Sequence, residues 1–518
     1  MNKNISYIVT TALIVALGGF LMGFDASVIS GVNKFIELEF SLTKLQVGWA
    51  VSSLTLTATL AMLVAGPLSD KIGRRQVLKI AAILYALSAI FSAIAPSYVT
   101  LVLARMLGGF GVGASLIIAP MYIAEISPAA IRGRMVSFNQ LNIVLGISVA
   151  FFTNYLILQW GKSDASWVQT LKFDEWNWRW MLGIEAIPAV LYFLGLFFVP
   201  RSPRWLVMKG EFDEALEVMS KATGPQVANE EMSEIKKAID ADTNKQEAPL
   251  SELFKKSMML VLTIGIVVGV LQQITGINSV FFYAPMIFEQ SGIGTDASFS
   301  QAIYVGLINL VFTLIAIALI DKLGRKPLLI GGMAGIVICM FLLAYSFNTA
   351  TYTLTETAVS SLPAEVNKDA LATIVGTTFD NDLDYKASLS AAIGDAAGTY
   401  ESDLLKGAIN INPTIVLLGI LGFVASFAVS IGPVMWVLFS ELFPNKVRGL
   451  AISFVGLINS AVSFLVQLVF PWELATLGTG TTFMIYGIFG LIGLIFIVLV
   501  VPETKGKSLE ELERQLVK

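Results

Sequence analysis

The chain has 518 residues, a length at which a soluble protein would fold as roughly three or four domains. Its composition excludes that arrangement, because 55 % of the residues are hydrophobic, only 14 % are charged and the mean hydropathy is +0.75. The net charge of −4 gives no basic surface for nucleic acid, while a single cysteine and no histidine exclude an intramolecular disulfide and the usual metal sites. The composition indicates a polytopic membrane protein without metal or cofactor, in which any proton chemistry would depend on carboxylates.

Apolar stretches of about 20 residues, the length that crosses a bilayer as a helix, recur along the chain. The first contains Asp25 and lacks a small-residue cleavage site, which indicates a membrane span rather than a signal peptide. The loops and tails on the side of both termini hold 25 of the 34 Lys and Arg, which predicts cytoplasmic termini. The predicted spans are twelve in number, at residues 7–30, 47–68, 77–95, 99–123, 135–158, 180–199, 258–289, 301–320, 327–347, 413–440, 449–470 and 480–501.

Two motifs of the first half recur in the second half. The stretch from Asp70 to Arg75 returns 251 residues later, whereas the stretch from Glu125 to Arg132 returns 316 residues later. The repeat predicts two six-helix bundles in parallel duplication, an arrangement seen in transporters. The difference between the offsets places 65 additional residues in the second half, and they fit the polar stretch at 347–412.

The predicted domains follow from these boundaries. The composition of the stretch at 347–412, called the insertion below, suits a small folded cap or a disordered loop about equally. The segment after the first bundle has short amphipathic periodicity, although a plain solvated linker is the alternative. The expected parts are an N-terminal bundle at 1–199, a cytoplasmic linker with short helices at 200–257, a C-terminal bundle at 258–501 that includes the external insertion, and a cytoplasmic tail at 502–518.

Seven motifs in family order resemble the sugar porter family of the major facilitator superfamily. They are Gly23 to Asp25, Asp70 to Arg75, Arg105 to Gly109, Glu125 to Arg132, Gln272 to Asn278, Gly432 to Trp436 and Pro502 to Gly506. The resemblance implies an all-α membrane protein of twelve transmembrane helices in two six-helix bundles, located in the plasma membrane or in the inner membrane of a Gram-negative bacterium. Two positions depart from the family: Arg201 stands where the family has Glu, and Ser460 stands where many relatives have Trp.

Asp25 and Arg105 are charged residues in otherwise apolar spans, and isolated charges in hydrocarbon are costly. The resemblance implies that the two face each other as a proton switch. Separation of the pair would let Asp25 take up a proton, and renewed pairing would expel it. Glu185 resembles a carboxylate that is tied to coupling in some relatives. The alternatives are a static ion pair between spans 1 and 4 and a packing role for Glu185.

A sugar site needs neutral hydrogen-bonding groups and an aromatic face. The residues that the resemblance implies are Gln140, Gln272, Gln273, Asn278, Asn309, Trp436 and Asn459. Gln272 and Asn278 would lie about 240° apart on a regular helix. They can point the same way only if span 7 is broken, and Gly276 and Pro285 are candidate break points. Amide bonding between helices is the alternative role for this group.

A set of charged residues sits at the predicted cytoplasmic ends of the spans. The resemblance implies that they form a salt-bridge latch, whereas positive-inside anchoring with turn chemistry is the alternative. The set consists of Arg74, Arg75, Glu125, Arg132, Arg325, Glu441 and Arg448.

We therefore expect a monosaccharide transporter for a hexose or pentose that works by alternating access as a proton symporter. A passive facilitator and a polyol or inositol transporter remain open. A sugar sensor is disfavoured by the short tails, and the sequence contains no P-loop or nucleophile–base signature of an enzyme. The expected partners are the sugar, a proton and the lipid bilayer, without nucleic acid, and the protein is expected to function as a monomer.

Overall fold

The computed structural model describes residues 3–128, 131–243, 249–444, 446–507 and 509–516. Within these ranges, eleven helical segments are apolar and long enough to cross a bilayer, and each overlaps a predicted span. The remaining predicted span, 180–199, is not one continuous helix, because it is interrupted at Ile184 and Glu185. The all-helical membrane part that the composition indicated is confirmed.

The first half of the chain and the linker are helical. Their helices are α1 (Lys3–Glu39), α2 (Lys44–Ile72), α3 (Arg74–Ala93), α4 (Tyr98–Ile126), α5 (Arg132–Trp160), α6 (Ser166–Thr170), α7 (Asn177–Gly183), α8 (Ala186–Gly195), α9 (Pro203–Met208), α10 (Phe212–Thr223) and α11 (Pro225–Thr243), followed by 3-10 turns at Leu250–Phe254 and Lys256–Met258.

The second half combines long helices with the mixed structure of the insertion. Its elements are α12 (Met259–Ile274), α13 (Ile277–Glu289), α14 (Thr295–Leu323), α15 (Arg325–Asn348), β1 (Thr351–Thr353), α16 (Glu356–Ser361), α17 (Lys368–Leu371), β2 (Thr378–Phe379), α18 (Asp382–Ile393), α19 (Ala396–Thr399), α20 (Glu401–Lys406), β3 (Ile409–Asn410), α21 (Pro413–Val429), α22 (Ile431–Leu442), α23 (Arg448–Leu477), α24 (Thr479–Val500) and α25 (Leu509–Leu516).

The repeated Asp-Lys-X-Gly-Arg motif forms the same turn in both halves. Gly73 separates α2 from α3 with φ 95°, and Gly324 separates α14 from α15 with φ 97°. A residue with a Cβ atom rarely adopts such angles, so glycine permits each sharp reversal. Arg74 and Arg325 follow directly and become the first residues of α3 and α15.

Backbone proximity divides the chain into two compact units. The division differs from the two halves that the repeat predicts, because parts of α1, α2 and α5 group with the second half. Unit 1 comprises Met1–Val28, Ser53–Ala150 and Trp178–Ala248, and unit 2 comprises Ile29–Ser52, Phe151–Asn177 and Pro249–Lys518.

Polar contacts join the C-terminal part of α1 to α13 within unit 2. Asn33 Nδ2 of α1 donates a hydrogen bond to the Phe282 carbonyl of α13 at 2.9 Å. One residue later, Lys34 Nζ lies 2.9 Å from Glu289 Oε1. The C-terminal end of α1 is therefore bonded to α13 at two successive positions.

In unit 1, the linker helices share an apolar core with the membrane helices. Leu78 of α3 and Tyr122 of α4 belong to the same buried cluster as Trp205 of α9 and Met219 of α10. Helix α10 buries its apolar face, while Asp213 and Glu214 lie in its first turn. The amphipathic segments of the linker are thus packed helices in the structure.

The insertion is folded and has a core of its own. Strand β1 lies between β2 and β3 and pairs antiparallel with both. The rings of Tyr352 and Tyr385 stack with centroids 5.5 Å apart, and the Tyr385 hydroxyl donates to the Leu404 carbonyl at 2.9 Å. Burial raises the pKa of Tyr385. The structure shows the insertion as a folded segment.

Candidate functional site

A buried ion pair joins α1 to α4 in unit 1. Arg105 Nη1 lies 3.4 Å from Asp25 Oδ1, and the two side chains are only 2 % and 3 % exposed. This distance exceeds the roughly 2.7–2.9 Å of a strong charge-assisted bond. Among the described residues, Asp25 Oδ2 has no hydrogen-bond partner. The structure therefore brings the two residues together in a pair whose separation is longer than that of such a bond.

Glu185 lies beside this pair, at the interruption between α7 and α8. It is 3 % exposed, and the charges of Asp25 and Arg105 both act on its carboxyl group. Pro188 stands in the first turn of α8 and cannot donate a hydrogen bond to the Ile184 carbonyl, which favours the interruption. The three predicted coupling residues thus form one buried group in unit 1.

Four of the predicted sugar-binding amides form a hydrogen-bonded network in unit 2. Asn459 Nδ2 donates to Gln272 Oε1 at 2.9 Å, and Gln273 Nε2 donates to Asn459 Oδ1 at 3.2 Å. Asn278 Nδ2 donates to Gln273 Oε1 at 2.7 Å. Residues from three helices, α12, α13 and α23, therefore present their amide groups to one another.

The predicted break in span 7 brings these amides together and is confirmed. Helix α12 ends at Ile274, Gly276 adopts φ 93°, and α13 begins at Ile277. A second distortion occurs at Tyr283, whose φ of −131° is not helical, two residues before Pro285. Both candidate break points thus coincide with departures from helical geometry.

The other predicted sugar-binding residues lie outside the described amide network. Asn309 is buried on α14 at 5 % exposure, whereas Trp436 on α22 is 48 % exposed and packs edge-on against Phe439. Gln140 is exposed on α5 and belongs to unit 1.

Sequence reasoning missed Ser463, which completes the network. Ser463 Oγ accepts a hydrogen bond from Asn278 Nδ2 at 2.7 Å and another from Gln467 Nε2 at 2.8 Å. Asn459, Ser463 and Gln467 are spaced four residues apart and therefore share one face of α23. This regular spacing of polar residues in an apolar span is the signal that would have identified Ser463.

The predicted latch residues form equivalent bonds in the two units. Arg74 Nη2 lies 3.1 Å from Glu125 Oε1 in unit 1, and Arg325 Nη2 lies 2.7 Å from Glu441 Oε1 in unit 2. Each arginine also pairs with the aspartate four residues earlier in the repeated motif. Two matched ion-pair groups therefore close the turns after α2 and α14.

The remaining latch arginines bind backbone carbonyls. Arg132 Nε donates to the Ser127 carbonyl at 3.4 Å, and Arg448 Nε donates to the Phe443 carbonyl at 3.0 Å. Arg75 Nη1 donates to the Val199 carbonyl at 3.0 Å. These bonds satisfy carbonyl groups at chain turns and match the alternative of turn chemistry for these three arginines.

A carboxylate whose role sequence reasoning did not identify caps α15. Glu503 accepts hydrogen bonds from the backbone N–H groups of Arg325 at 3.1 Å and Lys326 at 3.0 Å. Burial raises the pKa of Glu503, but hydrogen bonds from the backbone outweigh that effect and hold it below its usual value. The position equivalent to Glu503 in the first half is Arg201, which instead pairs with Glu211 and Glu214 of α10.

A charged group that we call the insertion clasp connects the insertion to α13. It consists of Lys386 and Glu401 in the insertion together with Gln290 and Lys44. Lys386 Nζ lies 2.9 Å from Glu401 Oε1 and donates to Gln290 Oε1 at 2.6 Å. Burial raises the pKa of Glu401, but the charges of Lys386 and Lys44 more than offset this and lower it to about 2.

The described residues contain no group of three or more His, Cys, Asp or Glu side chains that could hold a metal ion.

Comparisons with known proteins match this architecture. The sequence model of a family described as "Sugar (and other) transporter" matches residues 11–366 and 396–516. The chain is 33 % identical over 517 residues to the arabinose-proton symporter of Bacillus subtilis, covering 100 % of this chain and 97 % of that protein. It is 35 % identical over 542 residues to the D-xylose-proton symporter of Escherichia coli, covering 98 % and 96 % respectively. The inward-open structure of the xylose transporter XylE from E. coli matches with a TM-score of 0.74 at 31 % identity, covering 98 % of this chain and 100 % of that chain.

Proposed function

The chain belongs to the sugar transporter family, and we propose that it carries a hexose or pentose monosaccharide across the membrane by alternating access, together with a proton. The observation on which the proposal rests is the buried pair of Asp25 and Arg105. The relatives named as symporters for arabinose and xylose support the same class of substrate.

Proton coupling follows from the cost of an unpaired charge in a membrane helix. While Asp25 is ionised, Arg105 offsets its charge, and both remain buried. If a conformational change draws the pair apart, protonation of Asp25 removes the unpaired negative charge. Renewed pairing then favours release of the proton. Glu185, beside the pair, is the proposed second carboxylate of this step.

The proton gradient supplies enough free energy for accumulation. One proton contributes about 1.4 kcal/mol per pH unit and about 2.3 kcal/mol per 100 mV of membrane potential. Since a factor of ten in concentration corresponds to about 1.4 kcal/mol, typical gradients support accumulation of tens- to thousands-fold.

The amide network is the proposed sugar site in unit 2. Each amide offers both donors and acceptors, as a sugar hydroxyl requires. Bonds now made among Gln272, Gln273, Asn278 and Asn459 would be exchanged for bonds to the sugar. The half-exposed ring of Trp436 offers a surface for ring C–H groups. Asn309 and Gln140 are proposed as further ligands on the resemblance of their motifs alone.

The proposed topology places the termini, the linker and the latch in the cytoplasm and the insertion outside, in the plasma membrane. The excess of Lys and Arg on the side of the termini supports this orientation. In this arrangement, the ion pairs of Arg74 with Glu125 and of Arg325 with Glu441 stabilise the cytoplasmic turns. We propose that the protein functions as a monomer.

The test is uptake of radiolabelled D-xylose, L-arabinose and D-glucose into proteoliposomes, with and without an inward proton gradient. Accumulation of one sugar only with the gradient would establish symport and identify the substrate. Equilibration at the same rate under both conditions would identify a passive facilitator and reduce Asp25 and Arg105 to a structural pair. A protein that moves none of the three sugars would be tested next with polyols and inositol.

A further inference from the structure

Nine buried side-chain polar atoms of unit 1 have no hydrogen-bond partner among the described residues, and five of these nine belong to the coupling carboxylates or to hydroxyl groups beside them. These five are Asp25 Oδ2, Glu185 Oε1, Ser115 Oγ and the hydroxyl oxygens of Tyr85 and Tyr192. Each of these residues is at most 3 % exposed. Buried polar atoms are nearly always hydrogen-bonded in native proteins, and each unpaired one is destabilising. Three unpaired hydroxyl groups beside two unpaired carboxylate oxygens of the proposed coupling residues therefore indicate a functional arrangement.

Two of the three hydroxyl groups meet at one point beside α1. A Cβ atom at Gly18 of α1 would lie 2.8 Å from the Tyr192 hydroxyl and 3.3 Å from Ser115 Oγ, so both hydroxyls face the same point. The Tyr85 hydroxyl faces Ser115 and lies within electrostatic reach of both carboxyl groups. The glycine at position 18 leaves the space in which these groups meet.

The unpaired groups are chemically complementary. An ionised carboxylate only accepts hydrogen bonds, whereas a hydroxyl group both donates and accepts. Matched donors and acceptors that are unpaired in one conformation indicate a second conformation in which they bond to each other. In the conformation described, Arg105 occupies the other oxygen of Asp25.

We propose that Tyr85, Ser115 and Tyr192 form a hydroxyl relay that passes the proton between Asp25 and Glu185 when the pair of Asp25 with Arg105 opens. This inference rests on the proton coupling proposed above and adds three residues that the coupling group did not include. Their side chains project from α3, α4 and α8, so relative movement of these helices switches the relay on and off.

The transfer is balanced at every step. The protonated carboxyl group gives its proton to the nearest hydroxyl oxygen, while that hydroxyl gives its own proton to the next acceptor. One O–H bond breaks at the donating carboxyl group and one forms at the receiving carboxylate. The hydroxyl groups end unchanged, and the negative charge moves from one carboxyl group to the other.

Charged and titratable groups face the proposed relay from all four helices around it, α1, α3, α4 and α8. Asp25 lies on α1, Arg105 on α4, and Glu185 directly before α8, while the two relay tyrosines lie on α3 and α8. Arg105 stabilises whichever carboxylate is ionised, because its positive charge acts on both. The relay therefore operates between two carboxyl groups that share one cation.

The test uses the full-length protein in proteoliposomes, with the sugar that the wild type accumulates, and three variants: Tyr85→Phe, Tyr192→Phe and Ser115→Ala. Each removes a hydroxyl that has no partner among the described residues. A purely structural role predicts equal or higher thermal stability and unchanged transport, since an unsatisfied buried group is lost. The relay predicts the same stability but proton-driven uptake at least about tenfold slower. Sugar counterflow, which needs no net proton movement, keeps its rate.

Tyr122→Phe is the matched control. The Tyr122 hydroxyl is buried in unit 1 and donates to the Pro200 carbonyl at 2.8 Å, so its removal lowers thermal stability and leaves coupled uptake per folded molecule unchanged. If the wild type couples sugar to protons and all three relay variants do so at full rate, the relay is wrong and symport stands. If the wild type itself shows no coupling, both proposals are overturned.

Discussion

Asn278 and Gln273 are hydrogen-bonded across a broken helix. The Asn278 Nδ2 and Gln273 Oε1 atoms are 2.7 Å apart. On an unbroken helix, residues five positions apart would point about 140° away from each other. The break at Gly276 therefore converts two amides on different faces into one polar surface.

Replacing the glycine at this helix break should damage the proposed sugar site. Gly276→Ala places a Cβ at φ 93° and 2.6 Å from the Tyr486 ring. The backbone conformation alone costs about 1–3 kcal/mol, so we expect a lower melting temperature and weaker sugar binding, measured by thermal unfolding with and without sugar. The matched control is Gly331→Ala on α15, where the new Cβ meets no atom within 4 Å. An unaltered sugar-induced shift in Gly276→Ala would contradict the importance of the break.

Asp25→Asn should separate coupling from transport. The amide cannot take up a proton at physiological pH, and Arg105 loses its counter-charge. We expect loss of uphill accumulation with sugar counterflow retained, measured in the same proteoliposomes with and without the proton gradient. Accumulation at the wild-type level would remove Asp25 from the coupling role.

Gln272→Ala distinguishes a sugar ligand from amide bonding between helices. Gln272 accepts a hydrogen bond from Asn459 Nδ2 and donates to the Gly432 carbonyl at 3.1 Å. A ligand role predicts weaker sugar binding. The binding free energy should become less favourable by about 1–3 kcal/mol, measured by isothermal titration. Lower thermal stability with an unchanged dissociation constant would instead identify Gln272 as a structural link between α12 and α22.

The insertion clasp should make the thermal stability of the protein depend on pH. Because the charges of Lys386 and Lys44 lower the pKa of Glu401 to about 2 from the ordinary 4.5, its ionised form stabilises the folded insertion. That stabilisation is complete above pH 4.5 and is lost as the pH falls through about 2. We expect Glu401→Gln to lower the melting temperature by a constant amount between pH 7 and pH 5, and by less below pH 4.5, measured by thermal unfolding.

Glu365→Gln is the control for the clasp, since Glu365 is an exposed carboxylate of the same insertion. It should leave the melting temperature unchanged throughout the pH series. A Glu401→Gln variant as stable as the wild type at pH 7 would show that the clasp does not stabilise the fold.

Arg201 should be replaceable only together with its partners. It pairs with Glu211 at 2.8 Å and with Glu214, and it is 32 % exposed. Arg201→Glu brings a third carboxylate next to these two and should destabilise the packing of α10 by up to about 1 kcal/mol. The second change Glu214→Arg should restore part of the loss, measured as the coupling energy of a double-mutant cycle. Equal melting temperatures for all variants would show that these pairs contribute nothing.

Features that depend on local sequence could be predicted. Long apolar stretches define spans because the bilayer sets their length. The break in span 7 followed from a geometric requirement, since Gln272 and Asn278 cannot share one helix face, and Gly276 offered the place to satisfy it.

Features that depend on packing between distant segments could not be predicted. The core of the insertion depends on the contact of Tyr352 with Tyr385, and strands of two or three residues are too short to show an alternating pattern. The interruption of span 6 at Glu185 has a local signal in Pro188, but the apolar residues on both sides of Glu185 gave the stretch the appearance of one continuous span. The role of Ser463 depends on Asn278, which is far away in the sequence.

The sheet of the insertion has an evolutionary consequence. Its first strand, β1, is paired with its last, β3, with Thr351 opposite Asn410. The chain thus leaves α15 and returns to α21 through neighbouring points. Insertion of this segment would not have to displace the flanking spans. The family model does not match residues 367–395, which lie inside the same segment. Because its two ends meet, the insertion could change in length without moving the ends of α15 and α21 apart.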